Sequence, residues 1–182
     1  MKLIKRVTAV CEKRIVDYPI LFKLYSFPYK HILQREIALA GITNKDRVLN
    51  IGCGAVPFSA IYTSRITGAE VVGLDFDAEA CRRAVKTVSE MGLADSIIIR
   101  KGDGARIDPS GFTVVLVALQ AAPKKKILEN LLKQGASGLR IIFRLPRSFF
   151  ENQYGTIGRN NIICDDVRQY MITFNRSVLI RK

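Results

Sequence analysis

VLNIGCGAVPFSAIY, residues 48–62, decides how the rest of the chain is read. A short apolar run ends in Gly52-Cys53-Gly54 and gives way to residues at helical spacing, which is the order strand, tight turn, helix. Such a turn lies at the carboxyl edge of a parallel sheet, where open α/β sheets bind ligands and where backbone amides can face them. The dinucleotide fingerprint G-x-G-x-x-G requires a third glycine, and Pro57 stands in its place. Proline suits the start of a helix but breaks the pyrophosphate fingerprint.

Downstream of Arg47, short apolar runs alternate with helical periods, the signature of βα units on a parallel sheet. RVLNI, VVGLD, SIIIR, FTVVLVAL and LRIIFRL read as strands, with helices over about residues 58–66, 78–91 and 123–133. Asp77 is placed to cap the second of these helices; Gly92 follows its end, Pro123 suits the start of the third, and Gly135 follows it. The tail predicts a loop over PRSFFENQYGTIGRNN, a short helix near residues 165–170 and a closing strand SVLIR. Upstream, two or three helices are expected, with a break at Asp17-Tyr18-Pro19 and the last helix over about 28–40. The expected architecture is α/β: a doubly wound, mostly parallel, Rossmann-like sheet over residues 46–182, preceded by a short helical extension or lid over residues 1–45.

Two aspartates extend the motif. Asp75 ends the second strand, 21 residues after Gly54, where a carboxylate can accept ribose hydroxyls; a nicotinamide fold also wants an acid there. Asp103, in KGDGARI after the third strand, is placed to accept from an adenine amine, with Gly104 leaving room for the base. S-adenosylmethionine has ribose and adenine but no phosphate, so it suits a turn without the pyrophosphate glycine. Cys53 reads as a small turn residue, since nothing near it in sequence would activate a thiol.

Composition bounds these readings. The chain has 182 residues, 48% hydrophobic, enough for one sizeable core. Its net charge of +13 sits on the flanks: residues 1–47 hold ten Lys/Arg against four Asp/Glu, residues 140–182 eight against three, and the middle eleven against nine. A nucleic-acid partner is not favoured, because no RNA-binding motif or basic stripe interleaved with aromatics accompanies the charge. Cys11, Cys53, Cys81 and Cys164 are scattered and accompany one histidine, His31, so no metal site is expected and cytoplasmic thiols are. The N-terminus is broken by charges, which argues against a signal peptide or a span but is compatible with a basic segment on a membrane surface. The Lys124-Lys125-Lys126 run reads as a solvated helix start. Oligomeric state is not legible.

Residues 46–145 resemble a class I S-adenosylmethionine-dependent methyltransferase domain. That family's first strand usually ends in an acid where this chain has Asn50. A closer resemblance is to the nicotianamine synthase family, particularly its archaeal members, over about residues 25–182. Its turn reads much like GxGPLPLT, and GCGAVPFS keeps both glycines, the proline and Ser59. VVLVALQAAPKKKILENL, LRIIFR and NRSVLIRK are similar to further stretches, and YKHILQRE to its tyrosine-to-glutamate spacing. Members of that family carry a larger N-terminal helical region than the stub seen here.

The resemblance implies a cofactor site of Gly52, Cys53, Gly54, Asp75, Phe76, Gly102, Asp103, Gly104 and Leu119, with S-adenosylmethionine as the cofactor. It places Tyr29 by the transferred group; Glu36 is the candidate to deprotonate or bind an amine, and Arg144, just past the core of the fifth strand, has a planar fork that can hold a substrate carboxylate. Tyr29 and Glu36, seven positions apart, share a helix face. Three functions are expected in order: methyl transfer to a small molecule, aminocarboxypropyl transfer releasing methylthioadenosine, and a non-enzymatic module that binds the cofactor, or has lost it, and works through its basic flanks.

Overall fold

The computed structural model describes residues 19–158 and 162–182. Cys11 and the helices expected before residue 19 lie outside them. The described chain runs α1 (Pro19–Ala40), β1 (Arg47–Ile51), α2 (Phe58–Thr67), β2 (Glu70–Asp75), α3 (Ala78–Glu90), β3 (Ile97–Lys101), β4 (Val114–Val117), α4 (Lys124–Gln134), β5 (Arg140–Pro146), a 3-10 turn (Ser148–Phe150), α5 (Glu151–Tyr154), β6 (Ile163–Arg168) and β7 (Phe174–Arg181). No helix among the described residues is long and apolar enough to cross a membrane.

The seven strands lie in the order β3-β2-β1-β4-β5-β7-β6; the first five and β6 run in one direction, and β7 runs antiparallel between β5 and β6. The doubly wound sheet expected from the alternating pattern is therefore present. Chain direction across the sheet reverses between β1 and β4, which opens a crevice at their carboxyl ends. The glycine turn emerges there.

Strand periodicity sorts the core into two layers. Val48, Leu116, Ile142 and Leu179 face Leu33 of α1 and Ile61 of α2. Their neighbours Leu49, Val115, Ile141, Phe143 and Val178 face Ile127, Leu128 and Leu131 of α4. By the same alternation, Asn50, Arg144 and Ser177 fall on the α1/α2 side. Three polar residues thus enter an apolar layer, and each requires a partner there.

Two expectations are corrected. A single helix, α1, spans residues 19–40 and runs through Pro28, where a second helix was expected to begin; an interior proline forgoes one backbone hydrogen bond without obliging the helix to stop. Residues 163–168 form strand β6 instead of a helix, because they pair antiparallel with β7 from Ile163↔Ile180 to Arg168↔Arg176. The closing strand consequently starts at Phe174, three residues ahead of SVLIR.

One ion pair ties the opposite, amino edge together. Asp46 accepts from Thr43 N at 2.8 Å and from the Thr113 hydroxyl at 2.8 Å, and Arg140 Nη2 donates to its Oδ1. Burial opposes ionisation of Asp46, but these donors and the Arg140 charge outweigh it and hold the carboxyl below its usual range. A depressed acid contributes stability that is full above its unfolded value and lost as pH falls through its folded one. Asp46→Asn should therefore lower the urea midpoint at neutral pH, and the gap from the parent should narrow once pH drops below about 3.9. A gap that stays constant down to acid unfolding would remove Asp46 from the linkage.

Candidate functional site

The turn after β1 is held from below. Gly52 N and Cys53 N both donate to Leu74 O of β2, at 2.8 and 3.1 Å, and Gly54 N donates to Asp75 Oδ2 at 2.8 Å. The first three amides of the turn thus donate within the protein. This disposition leaves no phosphate cradle in those amides, in accord with Pro57 breaking the dinucleotide pattern.

Both glycines adopt left-handed backbone, with φ of 77° and 69°. A β-carbon on Gly52 would lie 3.2 Å from Ala121 Cβ and 3.3 Å from Ala118 Cβ, so the β4–α4 loop closes directly on it. One on Gly54 would meet nothing within 4 Å. The open side of the turn therefore begins at Gly54, beside Asp75. Asp75 Oδ1 accepts Asp77 N at 3.1 Å, so each oxygen of this nearly buried carboxylate takes one backbone donor. A carboxylate offers about four acceptor positions, which leaves capacity for two hydroxyls. Phe76, 80% exposed, stands next to it with a ring face available.

Asp77 caps α3 through Glu79 N and Ala80 N. Asp103 is half exposed; its Oδ1 accepts Ala105 N at 2.9 Å and its Oδ2 lies 3.7 Å from Arg106 Nε. The adjoining glycines pack tightly: a β-carbon on Gly102 would strike Leu74 Cδ1 at 2.7 Å, and one on Gly104 would strike Ile51 Cγ2 at 2.5 Å. Their missing side chains make room for the core. Leu119 is buried in the α1/α2 layer and its carbonyl accepts from Lys124, so neither group faces an open pocket.

Lys124 itself was read as solvated and is 2% exposed. At the first position of α4 its charge opposes the helix dipole. The ammonium folds back to donate to Leu119 O and, at 3.0 Å, to Ala121 O. It thereby holds the loop whose Ala118 and Ala121 abut Gly52. A run of three lysines carries no local signal that only the first is buried.

Asn50 stands where the resemblance implies an acid. It is 1% exposed and its Nδ2 donates to Leu116 O of the neighbouring strand at 3.3 Å. A carboxylate there would turn an oxygen toward that carbonyl oxygen.

Glu36 and Arg144 meet across the α1–β5 seam. Arg144 Nε donates to Glu36 Oε1 and Nη2 to Oε2, both at 2.8 Å, and Nη2 also donates to Ser59 Oγ at 3.0 Å. The Ser177 hydroxyl donates to Glu36 Oε1 at 2.7 Å, and Gln169 Nε2 donates to Ser177 Oγ at 3.2 Å. Glu36 is fully buried and Arg144 5% exposed. Burial works against the Arg144 charge, and the Glu36 carboxylate more than compensates, raising its affinity for the proton; Tyr29 adds to the same effect. The structure thus gathers the three residues outside the turn, with Tyr29 stacked on Phe58 at 4.9 Å. In this arrangement the planar fork of Arg144 grips Glu36, and Glu36 accepts from Arg144 and Ser177.

Burial pushes the Cys53 thiol up, and the nearby Asp75 charge adds to the effect. Cys81 is raised for the same two reasons, whereas Cys164 is exposed. Iodoacetamide should modify Cys164 in the native protein at least about tenfold faster than Cys53 or Cys81. Peptide mass spectrometry would assign the sites, and equal labelling of Cys53 would show the turn to be open from below. A surface groove of about 500 Å³ lies elsewhere, along α4 at Lys125, Leu128 and Leu132, and shares no residue with this site.

A parallel sheet with an antiparallel β7, a glycine turn after β1 and an acid ending β2 define the class I S-adenosylmethionine-dependent methyltransferase fold. Its residues 23–161 match one family within that class. The chain belongs to the protein-L-isoaspartate(D-aspartate) O-methyltransferase (PCMT) family. Among solved structures, the nicotianamine synthase MtNAS in complex with MTA and tNA superposes with a TM-score of 0.83, at 22% identity, over 97% of this chain and 70% of that one. An RNA methyltransferase from Salinibacter ruber, in complex with S-adenosyl-L-homocysteine, gives 0.68 at 23% identity over 82% of this chain and 89% of its own. At such identities both show the fold. In sequence, the L-histidine 2-aminobutanoyltransferase of Yersinia pestis is 27% identical over 67% of this chain and 49% of its own length. The protein-lysine N-methyltransferase of Saccharolobus islandicus is 23% identical over 61% of this chain and 69% of its own. The chain spans about half the length of the Yersinia relative.

Proposed function

We propose that this chain is an S-adenosylmethionine-dependent transferase whose acceptor is a small molecule, with methyl transfer as its reaction. The observation that carries the proposal is the Asp75 carboxylate, oriented by Gly54 N and Asp77 N at the open end of the turn with acceptor capacity to spare. Asp75 would take the ribose hydroxyls, Phe76 would cover the base, and the Asp103 carboxylate would accept from the adenine amine. When bound, S-adenosylmethionine supplies a sulfonium whose attached carbons are open to nucleophilic attack. The protein's part is positioning, which decides the carbon that an acceptor meets in line.

A second reading, aminocarboxypropyl transfer, is supported by the superposition on MtNAS over 97% of the chain and by the likeness to 2-aminobutanoyltransferases. The buried Glu36–Arg144 pair weighs against it, because it occupies the carboxylate that this reading would use as a base. Identifying the adenosyl by-product after incubation with S-adenosylmethionine and a panel of amines and carboxylates separates the two. S-adenosylhomocysteine is expected. Methylthioadenosine would establish the second reading, and failure to bind the cofactor at all would overturn both.

A further inference from the structure

Exposed apolar side chains are unevenly placed on this protein. Among the described residues, Phe76, Phe149, Tyr170 and Ile172 are 80–87% exposed, whereas Ile66, Val85 and Ile98 reach only 41–52%. All four of the most exposed lie at the carboxyl edge of the sheet, which also carries Gly54 and Asp75. Phe76 follows β2 and Phe149 follows β5. Tyr170 and Ile172 belong to the β6–β7 turn, which the pairing Pro146↔Phe174 sets beside the end of β5.

That corner is internally fastened. Arg147 N donates to Thr173 O at 3.2 Å and Arg147 Nε to Met171 O at 3.1 Å, so the segment carrying Phe149 and the turn carrying Ile172 are joined. The Arg35 guanidinium lies 4.7 Å over the Tyr170 ring, and its Nη1 donates to Arg168 O at 3.0 Å. Among the described residues, no ion pair to a carboxylate involves Arg35, Arg147 or Arg168. Apolar tips framed by guanidiniums without carboxylate partners are thus concentrated at one corner.

We propose that this corner docks the protein on an anionic lipid bilayer. Phe149 and Ile172 enter the acyl boundary, while Arg35, Arg147 and Arg168 lie at the level of the lipid phosphates. The chain's charge of +13 supplies the complementary long-range attraction to an anionic surface. Single-stranded RNA fits less well: Ile172 offers no ring for a base to stack on, and Arg35 already covers one face of Tyr170. Residues 1–18, with five Lys/Arg against two Asp/Glu, add to the charge that favours an anionic surface. Docking in this way turns the Gly54–Asp75 end of the sheet toward the headgroup layer. The inference does not depend on the reaction assigned above, because it is read from binding.

The test is sedimentation of the full chain with phosphatidylcholine vesicles and with mixed phosphatidylcholine–phosphatidylglycerol vesicles. Partitioning to the mixed vesicles should be at least about tenfold stronger. Phe149→Ser with Ile172→Ser should reduce it about tenfold, and Arg147→Gln with Arg168→Gln about tenfold on mixed vesicles alone. Circular dichroism and the thermal midpoint of the apolar variant should match the parent, as both side chains are exposed. Equal binding to both vesicle types would overturn the proposal. So would mixed-vesicle binding that survives Phe149→Ser with Ile172→Ser, which would transfer the contact to another part of the chain, or oligouridylate binding in the absence of vesicle binding.

Discussion

Arg144→Ala is expected to destabilise the fold by about 3–5 kcal/mol, a large share of the about 5–15 kcal/mol that stabilises a typical domain. The loss arises from what remains behind. Glu36, fully buried, would lose both of its guanidinium bonds while keeping its bond from the Ser177 hydroxyl. A charge in that position cannot return to water without displacing α1 from the sheet. Replacing both members by apolar residues of similar shape, Glu36→Leu with Arg144→Met, should recover most of the loss, because a buried pair roughly balances its own desolvation. Urea unfolding of the two single variants and the double variant measures the coupling. A single-variant loss below about 1 kcal/mol, typical of an exposed pair, would show that the seam opens to water.

The same pair marks the boundary of what sequence could reveal. The glycine turn, Asp75 and the parallel strands were legible because each is written locally: in side-chain alternation, in punctuation at element ends and in spacing along one βα unit. Glu36 and Arg144 are 108 positions apart, and each alone looks like an ordinary helix glutamate or strand-end arginine. Only the strand order, which brings β5 beneath α1, makes them partners. One signal was available: Arg144 shares strand parity with the inward-facing Ile142, so it had to enter the layer below α1. Ser177 has the same parity as Leu179. β6 shows the converse failure. Its residues ICDDVR are mostly exposed, so they carry no apolar alternation, and their strand conformation comes from pairing with β7.

The packing at Gly102 and Gly104 was illegible for a related reason. A glycine beside an acid at a strand end suggests room for a ligand, but the space can face either way. Here the missing side chains face Leu74 and Ile51, and the backbone of KGDGA is drawn onto the ends of β1 and β2. Gly54 is the position whose empty side opens outward.

Asp75→Ala should weaken S-adenosylmethionine binding by about 30- to 1,000-fold, equivalent to about 2–4 kcal/mol. Two effects combine in one residue. The carboxylate is the acceptor proposed for the ribose hydroxyls, and hydrogen bonds to a charged group are worth about 1.5–3 kcal/mol each before non-additivity. It also receives Gly54 N and Asp77 N, so its removal frees the turn whose left-handed geometry shapes the open side. Asp77→Ala is the control, because Asp77 lies two positions away and caps α3 through Glu79 N and Ala80 N. It should cost about 0.5–2 kcal/mol of stability with little change in affinity. Titration calorimetry on both variants, with folding checked by circular dichroism, tells the two roles apart. If Asp77→Ala lost affinity as Asp75→Ala did, the helix start and not the carboxylate would be the binding element; if neither lost it, the cofactor would have to lie away from the end of β2.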